Sequence, residues 1–172
     1  FISAMLIGSV FFIICIGSFV FITCTAFGWD SLEASLQLIR SSLCFAPTTS
    51  GGFLIIICVS GLLSFLAVVS FTLFVSAKSK NPLVVLAISA VVVLLPTIIS
   101  FAGFGGNIEN WIRLCLPSGG IGLRNSMYYE ASGFSFLHLG PIAIWSPFVL
   151  LGAAIVEIPL FFGLALRSYT KH

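Results

Sequence analysis

Charge is what this chain has least of. Of its 172 residues only 7% are Asp, Glu, Lys or Arg, against a usual share of about 25%. A soluble domain of this length has to cover itself with charge, so this chain would aggregate in water. The basic residues never form a run and the formal net charge is +2, which speaks against phosphate-backbone binding and a nucleic-acid partner. The five cysteines show no CxxC or Cys/His spacing, so neither a full disulfide framework nor a zinc site is expected. His138 and His172 are far apart and have no ligand cluster around them.

Catalytic signatures are missing as well. There is no nucleophile elbow, HExxH, Walker-type loop or dinucleotide fingerprint. The stretches GFGGN (103–107) and PSGGIG (117–122) carry glycines without the lysine or strand-to-helix context that phosphate cradling needs, and read as hinges or tight turns. An intramembrane enzyme would need paired Asp, a Ser/His pair or a zinc set in its apolar segments, and the sequence has none. No catalysis and no bound cofactor are expected of this chain.

Long apolar runs dominate what remains: Phe1 to Phe27, Gly51 to Ala77, Pro82 to Phe104 and Gly140 to Leu166. At about 1.5 Å per helical residue, each can cross a hydrocarbon core of roughly 30 Å. The expected fold class is all-α, a polytopic bundle solvated by the lipid bilayer. Its four spans fall near 2–27, 52–77, 82–103 and 141–166, with short interfacial or re-entrant helices in the outer loops. Lys78 and Lys80 follow the second span and Arg167 and Lys171 the fourth, which puts both clusters on one side. The positive-inside bias makes that side, and both ends of the segment, cytoplasmic. The first run lacks a basic leader and is too long for a signal peptide. Opening in apolar sequence on Phe, the chain is expected to be part of a longer polypeptide.

Within this frame several segments carry local signals. Asp30 and Glu33 have capping-box spacing, and Leu32, Leu36, Ile39 and Leu43 recur at helical spacing, as in a surface-lying helix. Ser60, Ser64 and Ala67 form a small-residue stripe, first a helix-packing face and secondarily a pathway lining. Pro96 deprives the Val92 carbonyl of its intrahelical amide and predicts a kink. Between Gly103 and Gly140, two short re-entrant or interfacial helices are expected, around Asn110 to Leu116 and Arg124 to Glu130, joined by PSGGIG. Cys44 and Cys115 fall in outer loops and would pair only in an oxidising compartment. Glu157 lies inside the fourth span, where an ionisable group costs about 2.5 to 3.5 kcal/mol. It is read either as a hydrogen-bonded structural group or as a proton- or cation-handling one.

Three places resemble one family: the span ending FGWDSLEASLQ, the turn and span SAKSKNPLVVLAISAVVVLLP, and the short helix WIRLCLP ahead of a last span with the basic tail RSYTKH. In these the chain resembles the C-terminal part of a bacterial ABC transporter permease of the type-2 exporter class, similar to those beside bacteriocin-immunity and peptide-efflux ATPases. The resemblance implies the last four of six spans in the bacterial cytoplasmic membrane. It implies a second permease subunit and a separate ABC ATPase subunit holding ATP and Mg. The cargo would be peptides, drugs or lipid-like molecules moved outward. For an exporter the chain's own residues then offer Trp111, Arg113, Pro117, Gly119 and Gly120 as an outer gate, and Glu157, Ser60 and Ser64 as pathway candidates, Glu157 having no counterpart in the family. The alternatives are a proton- or cation-coupled secondary transporter using Glu157, and a membrane subunit that anchors without transporting.

Overall fold

The computed structural model describes residues 2–35, 49–102, 106–119 and 135–170. Among these, four helices are long and apolar enough to cross a membrane: α1 (Ile2–Phe27), α2 (Ser50–Lys78), α3 (Pro82–Ala102) and α5 (Ser146–Tyr169). A short 3-10 turn, Trp29–Leu32, follows α1, and an eight-residue helix α4 (Asn107–Leu114) follows α3. Ahead of α5 stands an antiparallel hairpin of β1 (Phe136–Leu139) and β2 (Ile142–Trp145). The all-α membrane bundle is therefore as expected. The hairpin was not.

Helix boundaries follow the local chemistry. Thr49 caps α2 by accepting a hydrogen bond from the Gly52 amide at 3.2 Å, so the helix starts inside the TTSGG stretch and not after it. At its other end the SKNP turn satisfies itself: the Asn81 amide donates to Ser79 Oγ at 3.3 Å and the Leu83 amide to Asn81 Oδ1 at 3.0 Å. Pro82 then opens α3, where a missing amide costs nothing. Lys78 folds its ammonium over the Phe74 ring, 4.9 Å from the centroid, a cation–π contact that keeps the charge near the helix end.

Three boundary expectations are corrected. Residues 140–145 do not belong to the last span: Gly140, with φ +61°, and Pro141 form the hairpin turn, and Ile142–Trp145 pairs with β1. A short apolar run fits a strand as well as a helix start, and the Gly-Pro pair decides it. The first short helix runs over Asn107–Leu114 and not Asn110–Leu116, because Gly106 is its N-cap and Cys115 its C-cap. The Asp30 capping box does not form. Gly28 is the N-cap of that turn, with no side-chain cap, and the Glu33 amide bonds the Asp30 carbonyl. Most of the expected surface helix, the second short helix and Cys44 lie outside the described residues.

The most extensive helix packing joins α2 to α5. Ser60, Ser64, Ala67 and Ser70 of α2 are fully buried. Further along the same face, Phe71 and Phe74 meet Phe161 of α5 at centroid distances of 5.2 and 6.0 Å, and Ser168 donates to the Ala77 carbonyl at 3.4 Å. On α5 the matching stripe is Leu150, Ala154, Phe161, Ala165 and Ser168, at three-, four- and seven-residue spacing. Lipid gives helices little hydrophobic reason to associate, so small residues that admit a close neighbour set this contact. Ser60 spends its hydroxyl on its own helix, at the Ile57 carbonyl. The stripe is a packing face, as its spacing indicated.

Helix α1 is held differently. Cys24 is its one buried residue, and its contact with α2 is a reciprocal interlock of rings and glycines. The Phe12 ring lies over Gly61 and the Phe65 ring over Gly8, with the rings stacked at 5.6 Å. A Cβ at Gly61 would stand 3.1 Å from Phe12 Cζ, and one at Gly8 2.8 Å from Phe65 Cε1. Gly61→Ile is predicted to force the helices apart and destabilise the bundle by about 1–3 kcal/mol, the usual cost of overpacking. Gly17→Ala should not destabilise, since a Cβ there meets nothing within 4 Å. Denaturant unfolding in mixed micelles measures both.

Candidate functional site

The site is built around a defect in α3. Pro96 has no amide, so the Val92 carbonyl one turn earlier loses its helical partner. In hydrocarbon an unpaired carbonyl cannot turn to water. Its partner comes from elsewhere in the chain: the Ser118 hydroxyl donates to it at 2.7 Å. Ser118 is fully buried, and Pro117, Gly119 and Pro96 are buried with it.

The depth of this contact follows from helix rise. Helix α2 ends at Lys78, α3 begins at Pro82, and α5 carries Arg167 in its last turn. At about 1.5 Å per residue, Val92 and Glu157 each lie about 15 Å from that basic end, halfway through a core of roughly 30 Å. Since α3 runs away from the basic end and α5 runs back toward it, α4 starts from the far face. The turn 115–119 therefore reaches mid-depth from that face, and the next described residues, the hairpin from Ser135, are again at that face beside Asn107. The turn is a re-entrant element.

Its upper part is clamped to the hairpin. Asn107 reads the His138 backbone with both ends of its amide: Nδ2 donates to the carbonyl at 2.8 Å and the His138 amide donates to Oδ1 at 3.2 Å. Trp111 Nε1 donates to the same carbonyl at 3.3 Å. Leu114 of α4, Leu137 of β1 and Leu150 of α5 form a buried cluster under this clamp, with Trp111 and Val149 against it. The hairpin is closed at its base by the Ser146 amide on the Ser135 carbonyl at 3.0 Å and by paired hydroxyls at 2.9 Å.

At the lower end the chain folds sharply back on α4. The Gly119 amide donates to the Leu116 carbonyl at 2.8 Å. A Cβ at Gly119 would lie 3.0 to 3.1 Å from the carbonyl oxygens of Leu114, Arg113 and Leu116. Any side chain would push the backbone off the helix end, so the turn needs glycine there.

Glu157 sits at the same depth, on the α5 stripe between Ala154 and Phe161. Its Oε2 is buried and has no hydrogen-bond partner among the described residues, and the same holds for Ser89 Oγ. Ser89 is one turn nearer the basic end than Val92, on the same face of α3. Partial burial pushes the Cys115 thiol of the turn up. The element thus stands between α3, which it touches through Ser118, and α5, which it meets through Leu114 and Leu150.

Of the residues singled out by sequence, Trp111, Arg113, Pro117 and Gly119 lie on this one element. Gly120 lies outside the described residues. Arg113 Nη2 approaches Asn110 Oδ1 at 3.5 Å. Ser60 and Ser64 belong to the α2–α5 contact. Sequence reasoning missed Asn107 and Ser118, although the carbonyl that Ser118 serves was already marked by Pro96. Among the described residues no group of His, Cys, Asp and Glu could hold a metal ion.

No protein family, curated protein or solved structure matches this chain at a significant level. What the fold defines is a membrane-embedded helical protein with a re-entrant element between its last two described spans.

Two outcomes follow from this geometry. Asn107→Ala should raise amide exchange in the hairpin about tenfold, the equivalent of roughly 1.4 kcal/mol, read by hydrogen–deuterium exchange over residues 136–145. The thiolate is the form of Cys115 that alkylates. A raised thiol should therefore react slowly at neutral pH and faster as pH climbs past its ordinary value of 9.0. Mass spectrometry of the alkylated protein at several pH values measures the rate.

Proposed function

We propose that this chain is a membrane-spanning permease subunit of an ATP-driven exporter, forming the pathway wall and outer gate for peptide, drug or lipid-like cargo. The observation that carries the reading is the buried re-entrant turn at mid-depth, reached through Ser118 and the Val92 carbonyl. Non-helical backbone at that depth is tolerated only against protein or a wet cavity. An element of this kind, hinged on glycine and clamped at the outer surface, suits a closure over a pathway. Energy would come from a separate ABC ATPase subunit with ATP and Mg. A second permease subunit would complete the pathway in the bacterial cytoplasmic membrane, with Lys78 and Arg167 on the cytoplasmic face. The support for the partners is the sequence resemblance.

A second reading is favoured by a different observation, the buried Glu157 Oε2 without a partner among the described residues. Ionisable groups inside a membrane commonly mark proton or cation paths, so the chain would be a proton- or cation-coupled carrier.

The test is reconstituted transport with the ATP supply and the pH gradient varied separately, in the parent protein and in Glu157→Gln. The exporter reading expects a nucleotide-binding subunit to copurify from mild detergent and transport to follow ATP. It expects Glu157→Gln to keep activity within about threefold, a loss of under 1 kcal/mol. Full transport by the protein purified alone, driven by the pH gradient and abolished by Glu157→Gln, establishes the carrier instead.

A further inference from the structure

We propose that Ser118 is the positioning residue of the re-entrant gate: its hydroxyl latches the turn onto the carbonyl that Pro96 unpairs, so the gate's depth is tied to that point of α3. The inference rests on the gate reading of the re-entrant element. Its argument is one of mutual need. Val92 O has lost its helical amide to Pro96, and Ser118 Oγ is fully buried with Val92 O, 2.7 Å away, as its acceptor. Separating them in hydrocarbon strands both groups, because no water stands by to replace either. The contact therefore has two states. Either the turn is seated and both are satisfied, or it has withdrawn far enough for water to reach both.

The turn is built to present that hydroxyl. Gly119 folds back onto the carbonyls of Arg113, Leu114 and Leu116, where a Cβ has no room. Pro117 restricts the backbone immediately before Ser118. With an amide at position 96, α3 would have committed the Val92 carbonyl to that residue and left nothing at this depth for the turn to hold. Pro96 is thus the receptor half of the latch.

Cys115, exposed and three residues from Ser118, is a built-in reporter. The experiment uses the full chain in membrane vesicles with Cys15, Cys24, Cys44 and Cys58 changed to Ala. A membrane-impermeant methanethiosulfonate is applied from the face opposite Lys78. Ser118→Ala should raise the Cys115 labelling rate about fivefold, the fold-change of one ordinary hydrogen bond. Pro96→Ala gives Val92 an intrahelical amide. In that background, Ser118→Ala should change the rate by less than about twofold, because the carbonyl is no longer stranded. An unchanged rate in Ser118→Ala overturns the proposal. So does an equal increase in both backgrounds, which a merely structural serine would give. Should Ser118→Ala fail to accumulate, recovery of the protein in Pro96→Ala/Ser118→Ala supports the latch and no recovery refutes it. Labelling needs no transport, so the two readings fail separately. Loss of the labelling effect with ATP-driven transport intact removes the latch alone, and the opposite result removes the exporter alone.

Discussion

In hydrocarbon a backbone polar group has nowhere to turn but to its own chain, and that constraint accounts for the Ser118 contact, the hairpin and the capped turn at the basic end. Regular helices meet it internally. Where the sequence breaks the rule, at Pro96, the structure supplies Ser118. Where the chain leaves helix on the far side of the membrane, it pairs with itself as a hairpin, closed by Ser135 and Ser146 and gripped by the Asn107 amide. The turns at the basic end do the same with Ser79 and Asn81.

Packing obeys a second logic, since burying apolar surface earns little where the solvent is itself apolar. Large side chains such as Phe11, Phe19 and Leu83 face outward, while serine, alanine and glycine occupy the closest contacts. The α2–α5 pair is fixed by small residues along its length and by aromatic edges at its basic end. Helix α1 meets α2 through the two ring–glycine contacts, buries Cys24 near its end, and presents most of its large side chains outward. The re-entrant element joins the remaining parts, resting on α3 through one hydrogen bond and on α5 through a leucine cluster. Among the described residues, several costly groups meet at its position between the Pro96 site of α3 and the buried Glu157 carboxyl oxygen.

Much of this was legible because the signals were long or chemically unambiguous. Spans of more than twenty apolar residues admit no other reading, and Ser60, Ser64 and Ala67 fell on the packed face their spacing indicated. Pro96 identified the Val92 carbonyl as stranded from the i−4 rule alone. The hairpin was not legible, because four-residue apolar strands beside a span read as more span; the Gly140-Pro141 pair was the available cue. Asn107 was equally hidden, since its partner is a backbone 31 residues away.

The sequence by itself determined that these residues live in lipid, which segments cross it, which end carries the lysines, and where a helix would have to break. It could do so because hydropathy, helix length and the missing proline amide are properties of the chain alone. Only the tertiary structure decided what answers that break, how deep the turn after α4 descends, and that Glu157 shares its level. Those depend on which distant groups fold into reach, and in a low-dielectric interior the identity of the neighbour sets the energy of every polar group.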